Sequence, residues 1–337
     1  MLSKVEASSA LARNMKFYLP CHFWIFNLSY KRTLKYKNKM EDVMIKLSNG
    51  YEFCFMASSG ALGFDGFGWP HPKYWILRFL LKKYPNLIVP VVKTLTLPAQ
   101  KGNFRAIYDG DDYVVNAVEL GNPGFEAWYE KYFPKIEKRG QKIILSITGS
   151  SVTGIEKLAY LIAKLPKHII KGIEFNCSCS NVMKIWMLND IVEAVSVLNK
   201  ITELPIGIKI AHHQKNYLEI AKATFQTVEW ISFNSVPWEM IFPGKESPLM
   251  EKYDVSGAVS GKAIKDVNKK MAFEIRKAGI KTPIVASSVG WEEVFEIAYL
   301  DVSFSFRWAD AVSFGTLFRK HPYWPLKIAK KYNNSGD

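Results

Sequence analysis

The chain has 337 residues, of which 48% are hydrophobic, 23% charged and 14% aromatic, a composition that excludes disorder for most of its length. Its 45 basic and 31 acidic residues give a formal net charge of +14. Half of this excess lies in residues 1–39, and no helix-turn-helix, zinc-finger or RNA-recognition pattern accompanies it, which argues against nucleic-acid binding. A mildly basic body can instead steer an anionic ligand such as a phosphate or a carboxylate.

Residues 1–39 are expected to form a separate, basic N-terminal extension. Their apolar stretch, residues 17–29, is interrupted by Pro20 and falls short of the roughly 20 residues that span a bilayer. The sequence therefore predicts neither a secretory signal nor a transmembrane segment, and favours a poorly ordered extension with Met40 as the working start. A basic arm that contacts a membrane or a partner is the alternative. Residues 40–337 are expected to form one domain.

Four cysteines, Cys21, Cys54, Cys177 and Cys179, occur at spacings that fit neither a disulfide framework nor a Cys-x-x-Cys motif. Reduced thiols and a cytoplasmic location are expected. The sequence also lacks the ligand spacing of a metal site and the Gly-x-Ser-x-Gly motif of a hydrolase, so neither class is favoured.

From residue 50 onward, short β-rich apolar runs alternate with longer segments of helical period. Eight such runs predict an α/β fold of the (β/α)8 TIM-barrel type, with an open doubly wound sheet as the alternative. No Gly-x-Gly-x-x-Gly follows the first run, which weakens a dinucleotide-binding interpretation. The predicted strands are 53–58, 88–93, 142–147, 172–176, 205–210, 229–234, 282–287 and 310–314. The clearest predicted helices are 154–164, 183–199 and 262–278.

Chemistry in such a barrel lies at the carboxyl ends of the strands, where this chain is polar. The first run ends in residues 58–60 (SSG), the fourth is followed by 176–181 (NCSCSN), and the sixth ends at Asn234. Lys93 follows the second run directly, and Lys209 lies between two isoleucines of the fifth. A lysine at a strand end is commonly a solvated residue, but two at one rim point to a buried anion or an electron-rich ring.

Six motifs follow one another along residues 50–320. They are 56–60 (MASSG), 91–105 (VVKTLTLPAQKGNFR), 116–125 (NAVELGNPGF), 173–182 (IEFNCSCSNV), 256–265 (SGAVSGKAIK) and Gly315-Thr316. In this order they resemble the dihydroorotate dehydrogenase family of FMN-dependent barrels. The resemblance implies oxidation of dihydroorotate to orotate in de novo pyrimidine (UMP) biosynthesis, with transfer of a hydride to FMN.

The resemblance also implies which residues carry the reaction. Cys179 matches the family's base, and a thiol with an ordinary pKa of about 8.5 needs local dipoles or cations to act as a thiolate. A small buried hydrophobe is the alternative for Cys179, and a structural role is expected for Cys177. Lys93 is expected to hold the ring and stabilise negative charge on the reduced flavin, and Lys209 to contact the flavin from the fifth strand.

Asparagines supply the mixed donors and acceptors that a substrate with a carboxylate and imide groups requires. The expected substrate-binding residues are Asn116, Asn176, Asn181 and Asn234. The expected FMN-binding residues are Ser58, Ser59, Gly60, Lys93, Thr94, Lys209, Ser260, Gly261, Ser287, Ser288, Gly315 and Thr316, with the phosphate near the last four of these.

Four departures from the family pattern leave the substrate open. Pro237 stands where the family usually has an asparagine, Glu119 replaces a glycine of the substrate loop, Ser180 replaces a proline, and the serines at 287–288 replace two glycines. An FMN-dependent oxidoreductase of the same fold that acts on another cyclic amide or dihydropyrimidine is therefore an alternative. A non-catalytic flavin-binding or partner subunit is a second alternative.

A cysteine base resembles the soluble, class 1-like branches of the family. This implies fumarate or an iron–sulfur/flavin partner subunit as electron acceptor. A homodimer is expected. The aromatic segment 69–75 (WPHPKYW) is expected to pack against the barrel, with an interface as the alternative.

Overall fold

The computed structural model describes residues 44–103, 105–178, 186–287 and 307–334. In these ranges the strands are β1 (Ile45–Lys46), β2 (Glu52–Phe53), β3 (Phe55–Ala57), β4 (Val89–Pro90), β5 (Ile107–Asp109), β6 (Tyr113–Asn116), β7 (Ile143–Ile147), β8 (Ile170–Asn176), β9 (Ile206–Ile210), β10 (Trp230–Phe233), β11 (Val236–Pro237), β12 (Ala258–Gly261), β13 (Ile284–Ala286) and β14 (Ala311–Phe314). The α-helices are α1 (Trp75–Lys83), α2 (Phe125–Lys131), α3 (Phe133–Lys138), α4 (Val152–Ile162), α5 (Leu188–Thr202), α6 (Tyr217–Thr224), α7 (Trp238–Ile241), α8 (Met250–Tyr253), α9 (Lys265–Lys277), α10 (Thr316–Lys320) and α11 (Trp324–Asn334).

Eight strands form one parallel sheet that closes into a barrel. They are hydrogen-bonded in the order β4, β3, β14, β13, β10, β9, β8 and β7. The ring closes because the chain beyond β4 forms parallel bridges to β7, from Val91 to Ile144 and from Leu95 to Ile147. The amide of Val92 donates to the carbonyl of Ile144 at 3.1 Å. The predicted (β/α)8 barrel is confirmed.

Each of the eight predicted runs coincides with one barrel strand, and β8 begins two residues before its predicted run 172–176. Barrel strands are buried on both faces, and so they appear in the sequence as continuous apolar runs. β7 shows this most clearly, because all five of its residues are buried. The second run, 88–93, is longer than the strand it contains, Val89–Pro90, since Pro90 has no amide proton for a longer ladder.

The predicted helices form with small shifts at their ends. α4 begins two residues earlier than predicted because Ser151 caps it, its hydroxyl accepting from the amide of Gly154 at 3.1 Å. The predicted helix 262–278 contains a 3-10 turn, Lys262–Ile264, followed by α9. α5 covers the later part of the predicted helix 183–199 and continues three residues beyond its predicted end, to Thr202. The first three residues of the predicted helix lie outside the described residues.

A second sheet is absent from the prediction. β11, β12, β6 and β5 form a four-stranded antiparallel sheet in that order, over a core that includes Val115, Val259 and Trp238. Its strands are two to four residues long, too short to produce a period-2 signal in the sequence. As a result, two of the motifs, 116–125 and 256–265, begin in or contain a strand of this sheet.

The amino end of the barrel is closed by the β1–β2 hairpin and a large side chain inside the ring. Phe53 of the hairpin lies edge-to-face against Trp230, with ring centroids 6.4 Å apart. The indole of Trp230 occupies space that only glycine leaves free, because a Cβ on Gly207 would lie 1.8 Å from it and one on Gly172 would lie 2.9 Å from it.

Replacing Gly207 with alanine is expected to destabilise the fold by about 3 kcal/mol, because the new methyl group would displace the buried Trp230 ring. Gly154→Ala is the matched control, since a Cβ there meets only the Ser151 hydroxyl at 3.4 Å. Urea unfolding of both variants measures the difference. Equal midpoints for the two variants would contradict this packing.

The aromatic segment 69–75 divides into a packed part and an exposed part. Trp69 is half-buried, and its indole donates to the carbonyl of Gly60 at 3.0 Å. Trp75 is 67% exposed, so the packing prediction is wrong for this residue. Among the described residues, no helix is both long enough and apolar enough to cross a membrane. The domain boundary predicted near residue 40 lies outside the described residues.

Candidate active site at the carboxyl end of the barrel

Alternate residues of three neighbouring barrel strands face the interior and become polar toward the carboxyl end. The alternation is visible in the contacts between neighbouring strands, since the residues that contact one another inside the barrel lie at every second position of each strand. The series are Gly172, Glu174 and Asn176 on β8; Gly207 and Lys209 on β9; and Trp230 and Ser232 on β10, continued by Asn234 directly after it. The barrel therefore changes from an apolar floor to a polar upper layer.

A buried carboxylate forms the centre of this polar layer. Oε1 of Glu174 lies 3.5 Å from Nζ of Lys209, and the two side chains are only 2% and 10% exposed. Glu174 also accepts hydrogen bonds from the hydroxyls of Ser146 at 3.3 Å and Ser232 at 2.8 Å. Glu174 was not among the residues predicted from the sequence. The signal was an acidic residue in the middle of an apolar run, a position that a charge occupies only when it is paired.

A chain of hydroxyl groups leads from this carboxylate toward the opposite side of the rim. Ser146 is hydrogen-bonded to Thr94 at 2.9 Å, and Thr94 to Ser59 at 3.0 Å. The Ser59 hydroxyl also donates to the carbonyl of Val92 at 3.1 Å. Two of the predicted cofactor residues, Ser59 and Thr94, are thereby connected to Lys209 through Glu174.

The side chain of Lys93 lies against Gly60. A Cβ on Gly60 would be 3.5 Å from Cγ of Lys93, and Gly60 has a φ of +81°, which favours glycine. The amide of Lys93 donates to the carbonyl of Gly63 at 3.0 Å, which fixes the turn after β3 against the strand end. The structure thus brings the predicted residues Gly60 and Lys93 together.

The asparagines that follow β8 and β10 form a second polar group. The side-chain nitrogen of Asn234, Nδ2, lies 3.5 Å from Oδ1 of Asn176 and 3.1 Å from the hydroxyl of Ser178. The Ser178 hydroxyl donates in turn to Oδ1 of Asn176 at 3.4 Å. Two predicted substrate residues are therefore in contact, and Ser178, which was not predicted, connects them. The predicted residues Cys179 and Asn181 lie outside the described residues.

A third group combines five of the predicted cofactor residues with one that was not predicted. The hydroxyls of Ser260 and Thr316 are hydrogen-bonded at 2.9 Å, and a Cβ on Gly261 would lie 3.0 Å from Cγ2 of Thr316. The preceding residue, Gly315, lies close to Ser58, whose hydroxyl is 2.6 Å from that of Ser313. The loop after β14 and strand β12 therefore meet, as the prediction of a phosphate site there requires.

Ser287 and Asn116 have their own local partners. The Ser287 hydroxyl accepts from the side-chain amide of Asn268 at 3.0 Å at the end of β13, and Ser288 lies outside the described residues. Asn116 is exposed at the end of β6, where its Oδ1 accepts from the amide of Val118 at 2.9 Å. No described contact joins either residue to the three groups above.

Two of the departures from the family pattern have a clear structural setting. Glu119 has a φ of +60°, the left-handed conformation that glycine adopts most easily, so the glycine expected at this position would be free of backbone strain. Pro237 of β11 pairs with Ala258, and Ala258 pairs with Asn116. Pro237 and Asn116 therefore belong to one row of the second sheet.

Cys177 is part of the hydrophobic core. Its thiol is buried, lies 3.4 Å from the carbonyl of Lys209 as a donor, and has its pKa raised to about 12 because burial disfavours the thiolate. The side chain of Gln214 donates to the carbonyl of Cys177 at 3.1 Å and fixes the backbone. This placement agrees with the structural role predicted for Cys177.

We expect Cys177 to resist alkylation at pH 8. Its thiol stays protonated four pH units below a pKa of about 12, and the pKa of Cys54 is likewise raised to about 11 by burial and the nearby Glu52 carboxylate. Mass spectrometry of peptides after brief treatment with iodoacetamide would show these two thiols unmodified, with urea-unfolded protein as the fully labelled control. Rapid labelling of Cys177 in the folded protein would contradict its placement.

Comparison with known proteins shows which family this barrel belongs to. This chain is a parallel (β/α)8 barrel with lysines, amides and hydroxyls at its carboxyl rim, which is where barrel enzymes have their active sites. The sequence model described as dihydroorotate dehydrogenase matches residues 81–290, more than half of the chain. The chain belongs to the dihydroorotate dehydrogenase family, whose members are oxidoreductases acting on CH–CH groups. Its motifs predicted this membership.

Curated relatives cover most of the chain. The catalytic subunit of dihydroorotate dehydrogenase B (NAD(+)) from Staphylococcus carnosus is 28% identical over 69% of this chain and 75% of its own length. The subunit of the same name from Thermoanaerobacter pseudethanolicus is 29% identical over 80% of this chain and 85% of its own. That from Bacteroides thetaiotaomicron is 26% identical, over 72% and 80% respectively.

Proposed function

We propose that the chain oxidises dihydroorotate to orotate in pyrimidine biosynthesis, with FMN as its cofactor. Membership of the dihydroorotate dehydrogenase family supports the reaction class. The observation that carries the proposal is the polar layer at the carboxyl end of the barrel, where Lys209, Asn176 and Asn234 are brought together with their partners. A planar, hydrogen-bonding substrate and a flavin ring need this combination of a cation and neutral amides.

The donor set at the rim fits FMN. Ser59, Gly60, Lys93, Thr94 and Lys209 would hold the ring system, with the two lysines favouring negative charge on it. The phosphate would be held by hydroxyl and backbone N–H donors of the third group and of the residues after β13. These are Ser58, Ser260, Gly261, Gly315 and Thr316, together with Ser287 and Ser288. When bound, FMN supplies the hydride acceptor that the side chains of the protein lack.

The protein's own residues would bind the substrate and move one proton. Asn176 and Asn234, with Asn116 and Asn181, would hold the carboxylate and imide groups. Cys179 follows Ser178 directly in the chain, and Ser178 is hydrogen-bonded to both Asn176 and Asn234. The thiolate of Cys179 would take the proton from the ring carbon as the hydride leaves the neighbouring carbon.

We further propose that the electrons leave through a partner subunit. The relatives are named as catalytic subunits of an NAD(+)-dependent enzyme, and a catalytic subunit implies a second chain. An iron–sulfur/flavin partner would suit this role, and fumarate is the alternative acceptor. A homodimer in the cytoplasm is also proposed, in line with the class 1-like branches. Comparing turnover with NAD⁺ plus candidate partner against turnover with fumarate alone distinguishes the two acceptors.

A related oxidoreductase that acts on another dihydropyrimidine is the second candidate. Pro237 favours it, because this residue shares a row of the second sheet with Asn116 and offers no side-chain amide to a substrate. A substrate without the carboxylate of dihydroorotate would need fewer donors on this row. The predicted position of Glu119 on the substrate loop points the same way, since a carboxylate opposes an anionic substrate.

A substrate comparison tests the proposed function. The flavin is first released by heat and identified by chromatography, with FMN expected. Turnover is then measured with dihydroorotate and with dihydrouracil, using the same artificial electron acceptor. We expect faster turnover of dihydroorotate. A preference for dihydrouracil would support the second candidate, and FMN with no turnover of either compound would support a non-catalytic subunit.

A further inference from the structure

Helix α1 exposes an apolar ridge. Trp75, Ile76 and Phe79 are 67%, 62% and 65% exposed, and their spacing places them on one face of the helix. The opposite face carries Leu77 and Leu81, which are buried in the barrel core. Three large apolar side chains in one turn and a half, all nearly two-thirds exposed, are costly in water unless another surface covers them. These three residues are called the α1 ridge below.

The surroundings of the α1 ridge carry one sign of charge. Residues 72–84 and 316–334 together contain nine lysines and arginines and no aspartate or glutamate. The two segments are neighbours, because β3 and β14 are adjacent in the barrel. Lys330 of α11 donates to the Tyr84 hydroxyl at 3.2 Å. Of the described acidic residues, Asp109 lies close enough to form an ion pair with one of the nine, Arg319.

Charge decides between the possible occupants of the α1 ridge. A second copy of the chain in a two-fold dimer would place this basic surface against itself, and the extension 1–39 carries eight bases and one acid. Both occupants would meet like charge. An anionic surface is complementary, and an exposed, convex ridge of Trp, Ile and Phe suits the headgroup layer of a bilayer, which needs no shaped cavity to receive it.

We propose that the α1 ridge inserts into the headgroup layer of an anionic phospholipid membrane, with the surrounding lysines and arginines facing the lipid phosphates. Tryptophan and phenylalanine favour this layer, and basic residues next to it add electrostatic attraction. α1 begins at the carboxyl side of the barrel, since it follows β3 and the rim loop. The bound protein would therefore hold the mouth of its barrel near the membrane. This inference is independent of which substrate the protein oxidises.

Vesicle sedimentation with the full chain tests the proposal. The probes are vesicles of phosphatidylcholine alone and of phosphatidylcholine with phosphatidylglycerol in equal parts. We expect binding to the anionic vesicles only, weakened strongly by added salt because the attraction is screened. Trp75→Ala with Phe79→Ala should reduce the apparent affinity about tenfold or more, and Lys82→Glu with Lys83→Glu should do the same.

Two control variants distinguish binding by the α1 ridge from non-specific binding through other exposed aromatic and basic residues. Tyr129→Ala with Tyr160→Ala removes two aromatics that are exposed on other helices, and Lys135→Glu with Lys138→Glu makes the same charge change on α3. Both should bind as the wild type does. The proposal is overturned if the wild type does not bind anionic vesicles at low salt, as a protein-only docking surface would predict. It is also overturned if the ridge variants bind as well as the controls, which would assign binding to the basic extension.

Discussion

Cys179→Ala is expected to retain bound FMN and its yellow colour but to lose reduction by dihydroorotate. Removing a positioned general base slows proton transfer about 10²–10⁴-fold, whereas the cofactor is held by other residues. Stopped-flow mixing with dihydroorotate in the absence of oxygen measures the rate of flavin bleaching directly. Cys179→Ser would retain part of the rate if a hydroxyl can replace the thiol.

Cys177→Ala provides the matched control for this experiment. The two cysteines are two residues apart, but Cys177 lies in the core with its pKa raised to about 12, and it cannot act as a base near neutral pH. The Cys177→Ala variant should reduce its flavin at a rate near that of the wild type, with some loss of stability. If Cys179→Ala reduces at the full rate, or if Cys177→Ala alone abolishes reduction, the assignment of the base is wrong.

The second large effect is expected at the ion pair inside the barrel. Lys209→Met leaves the Glu174 carboxylate buried without its cation and should destabilise the protein by about 3–5 kcal/mol. Lys167→Met is the control, because Lys167 pairs with Glu203 at 2.6 Å on the surface, where both side chains are more than half exposed. That change should cost less than about 1 kcal/mol. Urea unfolding measures both.

A double variant separates the pair from its surroundings. Lys209→Met combined with Glu174→Gln removes both charges, and the new amide can still bond with Ser146 and Ser232. We expect the double variant to be more stable than Lys209→Met alone, since the uncompensated charge is gone. If the loss of stability in the double variant equals the sum of the losses in Lys209→Met and Glu174→Gln, Glu174 and Lys209 do not interact as the structure indicates.

The barrel could be predicted because its strands are buried on both faces. Residues 143–147 (IILSI) are apolar at four of five positions and are bounded by Lys142 and Thr148, so the run is visible without any knowledge of its partners. The second sheet gives no such signal. Pro237 and Asn116 are more than 100 residues apart in the chain and come to lie in one row only because β12 pairs with both β11 and β6. Nothing local in the sequence specifies these pairings.

In the site, too, features with a local sequence signal could be predicted and features set by long-range contacts could not. The position of Lys209 in an apolar run correctly indicated a buried partner, and the structure supplies one from within the protein, the carboxylate of Glu174. The sequence alone had suggested a ligand as the source of that anion. Ser178 was missed because its role depends on Asn234, which is 56 residues away. Exposure of Trp75 was missed because an aromatic residue at helical spacing is most often part of a core.

The most direct test of the proposed chemistry is an anaerobic titration of the purified, yellow protein with dihydroorotate. We expect the visible absorbance of the flavin to be lost in proportion to the dihydroorotate added, and an equal amount of orotate to be formed. A protein that contains FMN, stays yellow through the titration and forms no orotate would contradict it.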